Sequence, residues 1–360
     1  MRESTGHRVV ITGVGPVSAV GIGREPFFAA IREGRSGIAA VTSFDTARYR
    51  AKQAAEIASF DVKEYLESEK AYLDRTSELA FAGMSLALED AGLDPHQLAP
   101  AAAALLMGTA YGNLGTLGVF FDDFIKKGPR LVKPILFPHT YSNTTISLLA
   151  IEYGLSGYHV NVSSGHASAA LALVEAYDLI RLGRATMAFA GGFEALSEIL
   201  FAGFDHQGAL SPGDGQPERC APFDRRRNGT VLGEGCAIFA LESLERAQAR
   251  GARIHGEIVG AGVTASCSVG QDAGAAGILE AMKLATKGQP PGGEKLGCIL
   301  ASANGSVKPD AGEGRAIAEF LGDADIPVTS IKPLVGETVG ASGALQLAGA
   351  LAILDGGLIP

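Results

Sequence analysis

The chain has 360 residues, 47% hydrophobic and 19% charged, with 48 glycines and a net charge of −9. This composition describes a globular α/β protein with close backbone packing and enough chain for one large domain or two ordinary ones. It excludes a disordered chain and argues against nucleic acid as the main partner.

The apolar runs break off before the ~18 residues of a membrane span. The first residues are polar and carry no apolar signal segment. Cys220, Cys236, Cys267 and Cys298 lack CxxC spacing. A cytoplasmic protein is therefore expected, with no membrane contact, disulfide framework or metal site.

In chain order, residues 8–21 (RVVITGVGPVSAVG) read as a buried strand entering a glycine-rich turn. The glycines miss the dinucleotide spacing, and no acidic residue closes a second strand about 20 residues on, so no nucleotide site is assigned. Residues 27–35 predict a short helix, 72–91 a longer one and 101–108 a second buried strand. The excursion 111–143 holds a helical piece, 114–127, and a Pro-punctuated loop. Excursions of this length build a binding wall or a subunit contact.

Next, Tyr158, Val160 and Val162 alternate as in a strand, Ser163-Ser164-Gly165 turn, and a mostly apolar helix runs to residue 182. Strand, sharp turn and buried helix set one side chain under the positive end of the helix dipole. A nucleophile is expected at such an elbow, and the residue there is His166. Residues 186–190 read as a strand, and 223–242 hold a tight turn and another buried strand.

From His255 the pattern starts again. HGEIVGAGVTASCSVG echoes RVVITGVGPVSAVG, CILASANGS echoes LLMGTAYGN, and VTSIKPLVGETVGASGALQLAGALAIL echoes the elbow segment. Units recurring in the same order mark an internal duplication, with a period far longer than a solenoid's. The halves divide at 1–250 and 251–360. The first copy continues past its helix into two strands, and the second reaches Pro360 where its equivalents would begin, which leaves a sheet edge to be covered.

ITGVGPVSAVG, KGPR (127–130), APFDRRRNGTVLGEG (221–235), NGSVKPDAGE (304–313) and SIKPLVGETVGASGALQ together resemble the β-ketoacyl synthases of fatty-acid and polyketide assembly, from about residue 8 to residue 360. The resemblance implies a thiolase-like α/β fold of two pseudo-twofold halves in five layers, the second lacking its last strands. Active members carry a Cys nucleophile at the elbow and two histidines that assist decarboxylation and stabilise the enolate. In this sequence those positions fall on His166, Asn304 and Glu337, with the associated lysine kept as Lys332. Asp310 and Glu313 match the family's acidic pair, and Asn228 stands where an Asp is usual. Without a thiolate no acyl-enzyme forms by the usual route. Loss of a single oxyanion donor alone costs ~10²–10³ in rate.

This pattern resembles the chain-length factors of type II polyketide synthases. The resemblance implies a heterodimer with an active ketosynthase, in which this chain walls off half of the acyl tunnel. It implies Leu114, Leu117, Phe120 and Phe121 as tunnel residues and Tyr158, Val160, Val162 and Ser163 as the dimer strand. It implies no cofactor of the chain's own; 4'-phosphopantetheine enters only as the arm of an acyl carrier protein, bound mostly through the partner.

His166 has three readings: a buried structural plug with its pKa lowered by the helix N-terminus, a base paired with Glu337, or a metal ligand lacking further partners. The pair, with Ser163, Ser164 or Ser168 nearby, would suit an acyl hydrolase or transferase, or a malonyl-carrier-protein decarboxylase. Arg225, Arg226 and Arg227 read as a solvated loop or ion pair before a carrier-protein contact. Glu234 reads as a neutralised turn carboxylate, and Cys220 and Cys236 as buried fillers.

Overall fold

The computed structural model describes residues 6–101, 103–213, 215, 217–266, 274–287 and 296–360. Cys267 lies outside them.

Strand β1 (Val9–Ser18) is buried throughout and turns into β2 (Gly21–Ile22) and helix α1 (Arg24–Glu33). The helix begins three residues earlier than its apolar spacing predicts, because the chain enters it from Gly23 at φ 85° and proline is tolerated in a first turn. A short hairpin, β3 (Ile38–Ala40) and β4 (Gln53–Ala55), precedes α2 (Arg75–Ala91), whose N-cap is Asp74. Strand β5 (Ala103–Gly108) leads to α3 (Leu114–Lys127), a 3₁₀ stretch Pro134–Thr140, α4 (Thr144–Glu152) and β6 (His159–Val162). A 3₁₀ turn, Gly165–Ala167, opens α5 (Ser168–Arg181). Then come β7 (Met187–Glu194), α6 (Glu198–His206), β8 (Gly235–Ser243) and α7 (Leu244–Ala249).

The second half supplies β9 (Gly256–Ile258), α8 (Ala275–Ala285), β10 (Ile299–Leu300), α9 (Val307–Leu321), β11 (Val328–Thr329), α10 (Lys332–Val335) and α11 (Ser342–Gly356). Here again a parallel strand pair is followed by a 3₁₀ turn, Val339–Ala341, and a long helix. The duplication read from the sequence is thus a duplication of structure.

The large sheet runs β2-β1-β8-β7-β5-β6, with β9 added on β1. Its strands alternate with a period of two. Ala188, Ala190, Phe239 and Leu241 face α1, α5 and α11, while Met187, Phe189, Ile238 and Ala240 face α2 and α4. The first strand of the second copy therefore joins the first copy's sheet, pairing Val9 with Ile258. Among the described residues the second sheet holds β10 and β11 alone.

The glycines of β1 serve close packing. A Cβ on Gly13 would meet Ala87 O at 2.4 Å, and one on Gly15 would meet Gly83 O at 2.0 Å. Helix α2 lies directly on the strand there, where a nucleotide loop would need open space.

The stretch Val339–Gly356 has the length and hydropathy of a membrane span, contrary to the reading that every apolar run is too short. In the fold its Ala344, Leu345, Ala348 and Leu351 are buried in the core formed with α1, α5 and the large sheet, so burial accounts for the apolar character of that face.

Candidate functional site

The candidate site lies where the elbow turn of the first copy meets two loops of the second. Asn304 sits after β10 in a loop shaped by Asp310, whose carboxylate accepts from the amides of Asn304 (3.1 Å), Gly305 (3.0 Å) and Phe223 (3.1 Å). Glu313 accepts from Ser302 N at 2.7 Å. The acidic pair read from the sequence therefore shapes this loop through backbone amides.

Glu337 is fully buried, and its backbone is pinned to Val231 and Gly233 of the first half. One carboxylate oxygen accepts from Lys332 Nζ (2.6 Å) and Asn304 Nδ2 (2.6 Å). The other accepts from Val339 N (2.9 Å) and Ser342 Oγ (2.5 Å). Lys332 is 2% exposed, so a complete ion pair lies in the interior. Burial would raise the Glu337 carboxyl, but the Lys332 ammonium, then the charge of nearby His166 and the hydrogen bonds, outweigh it and hold it at about 2.

His166 is exposed at the head of α5, and among the described residues its ring makes no hydrogen bond. The expected buried plug is therefore corrected: the 3₁₀ turn carries the imidazole outward. The expected base pair with Glu337 is corrected as well, since both carboxylate oxygens are taken by four other donors. Ser168 is equally committed. Its hydroxyl donates to Gly165 O (2.7 Å) and accepts from Ser164 N (2.9 Å), closing the elbow. Ser163 reaches Ala110 O at 3.4 Å, and Ser164 is exposed. Neither the Ser163 nor the Ser168 hydroxyl is bonded to His166, and the described residues contain no cluster of metal ligands.

Two contributors were not singled out from the sequence. Ser342 heads α11 as Ser168 heads α5, and the repeated Ala-Ser of residues 167–168 and 341–342 was the available signal. Glu194 ends β7 and ties the halves together. It accepts from Ala110 N (2.7 Å), Tyr111 N (3.2 Å), Thr109 Oγ1 (3.2 Å) and Gly340 N (3.1 Å). Burial pushes its carboxyl up to about 7 despite these donors.

The first-half turn around Glu234 is structural, as read. Its carboxylate holds Arg75 Nη2 at 2.9 Å and Ile57 N at 3.0 Å. Arg226 pairs with Asp224 at 2.9 Å, Arg227 donates to Val307 O at 2.8 Å, and Arg225 is exposed. Cys220 and Cys236 are buried; Cys220 donates to Asn304 O at 3.3 Å, and burial with Glu337 nearby raises its thiol to about 12.

Helix α3 has the predicted limits. A cavity of about 300 Å³ lies beside its first turns, lined by Leu114, Thr116 and Val119 with Tyr111, Leu196 and Leu200. Of the four residues expected on a tunnel, Leu114 lines this cavity and Leu117, Phe120 and Phe121 do not. Phe120 is half-buried against Phe121 and Phe137, and Phe121 is 50% exposed. With Val119, Phe124, Ile125, Leu131 and Ile135 also exposed, α3 and the following loop present an apolar face to solvent. On the same side of the sheet order, β6 is an edge strand. Val160 and Val162 are half-buried and Tyr158 and Ser163 exposed.

This fold and constellation define a ketosynthase-type thiolase fold, and the chain belongs to the β-ketoacyl synthase family. Residues 6–247 match the beta-ketoacyl synthase N-terminal domain and residues 255–360 its C-terminal domain.

Among curated relatives, the 3-oxoacyl-[acyl-carrier-protein] synthase 2 of Vibrio cholerae is 33% identical over 94% of this chain and 84% of its own length. That of Staphylococcus aureus is 31% identical over 99% and 88%. Among solved structures, the ishigamide ketosynthase/chain length factor aligns with a TM-score of 0.90 at 30% identity, over 99% of this chain and 88% of that one. A type II polyketide ketosynthase in complex with its acyl-carrier protein aligns at 0.84 and 27%, over 97% and 87%.

Proposed function

We propose that this chain is a non-condensing ketosynthase-like subunit, a chain-length factor, that pairs in the cytoplasm with an active ketosynthase in type II polyketide or fatty-acid-like synthesis. The observation that carries the reading is the Lys332–Glu337–Asn304 cluster. A histidine pair would stabilise a developing enolate by donating hydrogen bonds; here Asn304 and Lys332 spend donors on Glu337, and the carboxylate adds negative charge where an enolate would form. The elbow offers an exposed imidazole and no thiol. Such a site neither loads an acyl chain nor stabilises the condensation transition state.

The apolar face of α3 and the edge of β6 suit the pairing. Each aromatic or branched side chain buried there contributes ~1.5–3 kcal/mol before the cost of association, and an obligate, largely apolar interface is expected. Leu114 meets the tunnel within this chain, while Leu117, Phe120 and Phe121 limit it from the interface. The carrier protein delivers its phosphopantetheine arm to the partner's cysteine. The divisions at 1–250 and 251–360 separate the interface-bearing half from the half that carries the Glu337 cluster.

The test is co-expression with an active type II ketosynthase, followed by product-length analysis. Phe121→Asp should abolish co-purification while the isolated chain keeps its melting temperature. His166→Ala should leave product formation unchanged. Loss of turnover in His166→Ala with the complex intact would place chemistry on this chain and end the reading.

A further inference from the structure

The cavity of about 300 Å³ beside α3 is lined by residues of two kinds. Leu114, Val119, Leu196 and Leu200 supply apolar surface, and the heads of α2, α3 and α6 supply polar side chains. The volume is far above the ~30 Å³ share of one water and at the lower limit of ligand cavities.

Nearly all of the polar groups are already engaged. Asp74 accepts from Ser77 N (3.1 Å), Ser77 Oγ (2.8 Å) and Asn113 Nδ2 (2.9 Å). Arg75 is paired with Glu234 at 2.9 Å and with Glu78 at 3.3 Å. Thr76 Oγ1 donates to Gly112 O (3.2 Å), and Ser197 Oγ accepts from Leu200 N (3.3 Å). Thr116 Oγ1 lies 2.8 Å from Tyr72 Oη, which places one hydroxyl proton between them and leaves the other free to donate. Asn113 is the exception. It is 2% exposed, and its Nδ2 donates to both Asp74 Oδ2 and His139 O (2.8 Å). Two acceptors on the nitrogen fix the orientation of the amide. Oδ1 is then a buried acceptor without a partner among the described residues, and such a group costs stability until a donor meets it.

The group that completes this cavity must therefore donate. A saturated alkyl chain offers no donor, and a ketone oxygen only accepts. A carboxylate also only accepts, and it would meet the Asp74 charge with Arg75 already neutralised. A hydroxyl gives its proton to Asn113 Oδ1 and takes one from the Thr116–Tyr72 pair. We propose that this cavity binds the hydroxyl-bearing part of a neutral acyl chain, and that Asn113 selects it over a keto or fully saturated chain. The proposal rests on the tunnel reading of Leu114 given above and names the chain that enters: one whose keto group has been reduced to the alcohol and not yet dehydrated.

The probes are 2-hexanol and 2-hexanone, titrated into the full chain alone and followed by NMR through the Asn113 side-chain amide. 2-Hexanol should bind at least tenfold more tightly than 2-hexanone and shift that resonance. A Cβ on Gly115 would stand 3.7 Å from Ser197 Cβ, so Gly115→Leu fills the cavity and should abolish binding of both. Asn113→Leu should remove the preference for the alcohol. Equal affinities, tighter binding of the ketone, no binding, or binding that survives Gly115→Leu overturns the proposal. The alcohol-to-ketone ratio on the unmodified chain decides the matter even if Asn113→Leu folds poorly. Pairing with a ketosynthase is judged by co-purification, so loss of the complex and loss of probe binding are read apart.

Discussion

Replacing Glu337 by Gln tests the account of the buried cluster most directly. Glu337 is 0% and Lys332 2% exposed, with 2.6 Å between Nζ and the carboxylate. At that separation and an effective dielectric of about 20, the Coulomb attraction is ~6 kcal/mol, much of it offset by the cost of desolvating both ions. Glu337→Gln keeps the shape and one acceptor but leaves the Lys332 ammonium buried without a counter-charge. Breaking such a pair costs ~3–5 kcal/mol, a large part of the ~5–15 kcal/mol that holds a domain folded. Lys332→Met alone strands the carboxylate and should cost about as much. The double variant removes both charges and should lose less than the sum of the singles by ~2–3 kcal/mol. Urea unfolding gives these values, the midpoint falling while the slope stays constant. A Glu337→Gln cost below about 1 kcal/mol, or strictly additive singles, refutes the reasoning.

Other outcomes follow from the same structure. Glu337, held by the Lys332 ammonium at about 2, below its ordinary 4.5, contributes stability that is present above pH 4.5 and lost as pH falls toward 2. Glu194, raised to about 7, has the opposite sign. Its folded state favours the protonated form, so stability is lost as pH rises from 4.5 through 7, by about 3 kcal/mol. Unfolding midpoints taken between pH 4 and 8 should show that decline in the wild type and a flat profile in Glu194→Gln.

Gly340→Ala would place a methyl 2.3 Å from Ala110 N and 2.4 Å from Glu194 Oε2. It should cost ~1–3 kcal/mol or more by thermal denaturation. By contrast, Gly203→Ala, inside α6 with nothing within 4 Å, should stabilise by up to ~1 kcal/mol. Burial raises both the Cys220 and Cys236 thiols, so iodoacetamide at pH 8 should leave both unmodified in the native protein by mass spectrometry.

The chain's own order of residues determined the repeating strand–turn–helix units, the limits of α3 and the positions at which the family's chemistry would sit. These are local matters. A period of two or 3.6 residues, a glycine at a turn and a serine at a helix head act over a few neighbours, and their consequences survive in any tertiary setting. Asn304 and Glu337 could be placed from their motifs for the same reason.

What sits against those residues was decided only by the tertiary structure. Glu337 is neutralised by Lys332, Asn304, Ser342 and the Val339 amide rather than paired with His166. Phe121 is apolar and on a helix, yet it faces outward. Strand β9 opens the second copy but pairs with β1 of the first. A hydrophobic period states that a face must be covered, not by what, and a buried carboxylate takes whichever donors the packed backbone brings within about 3 Å. These choices depend on contacts between residues far apart in the chain, which no local pattern encodes.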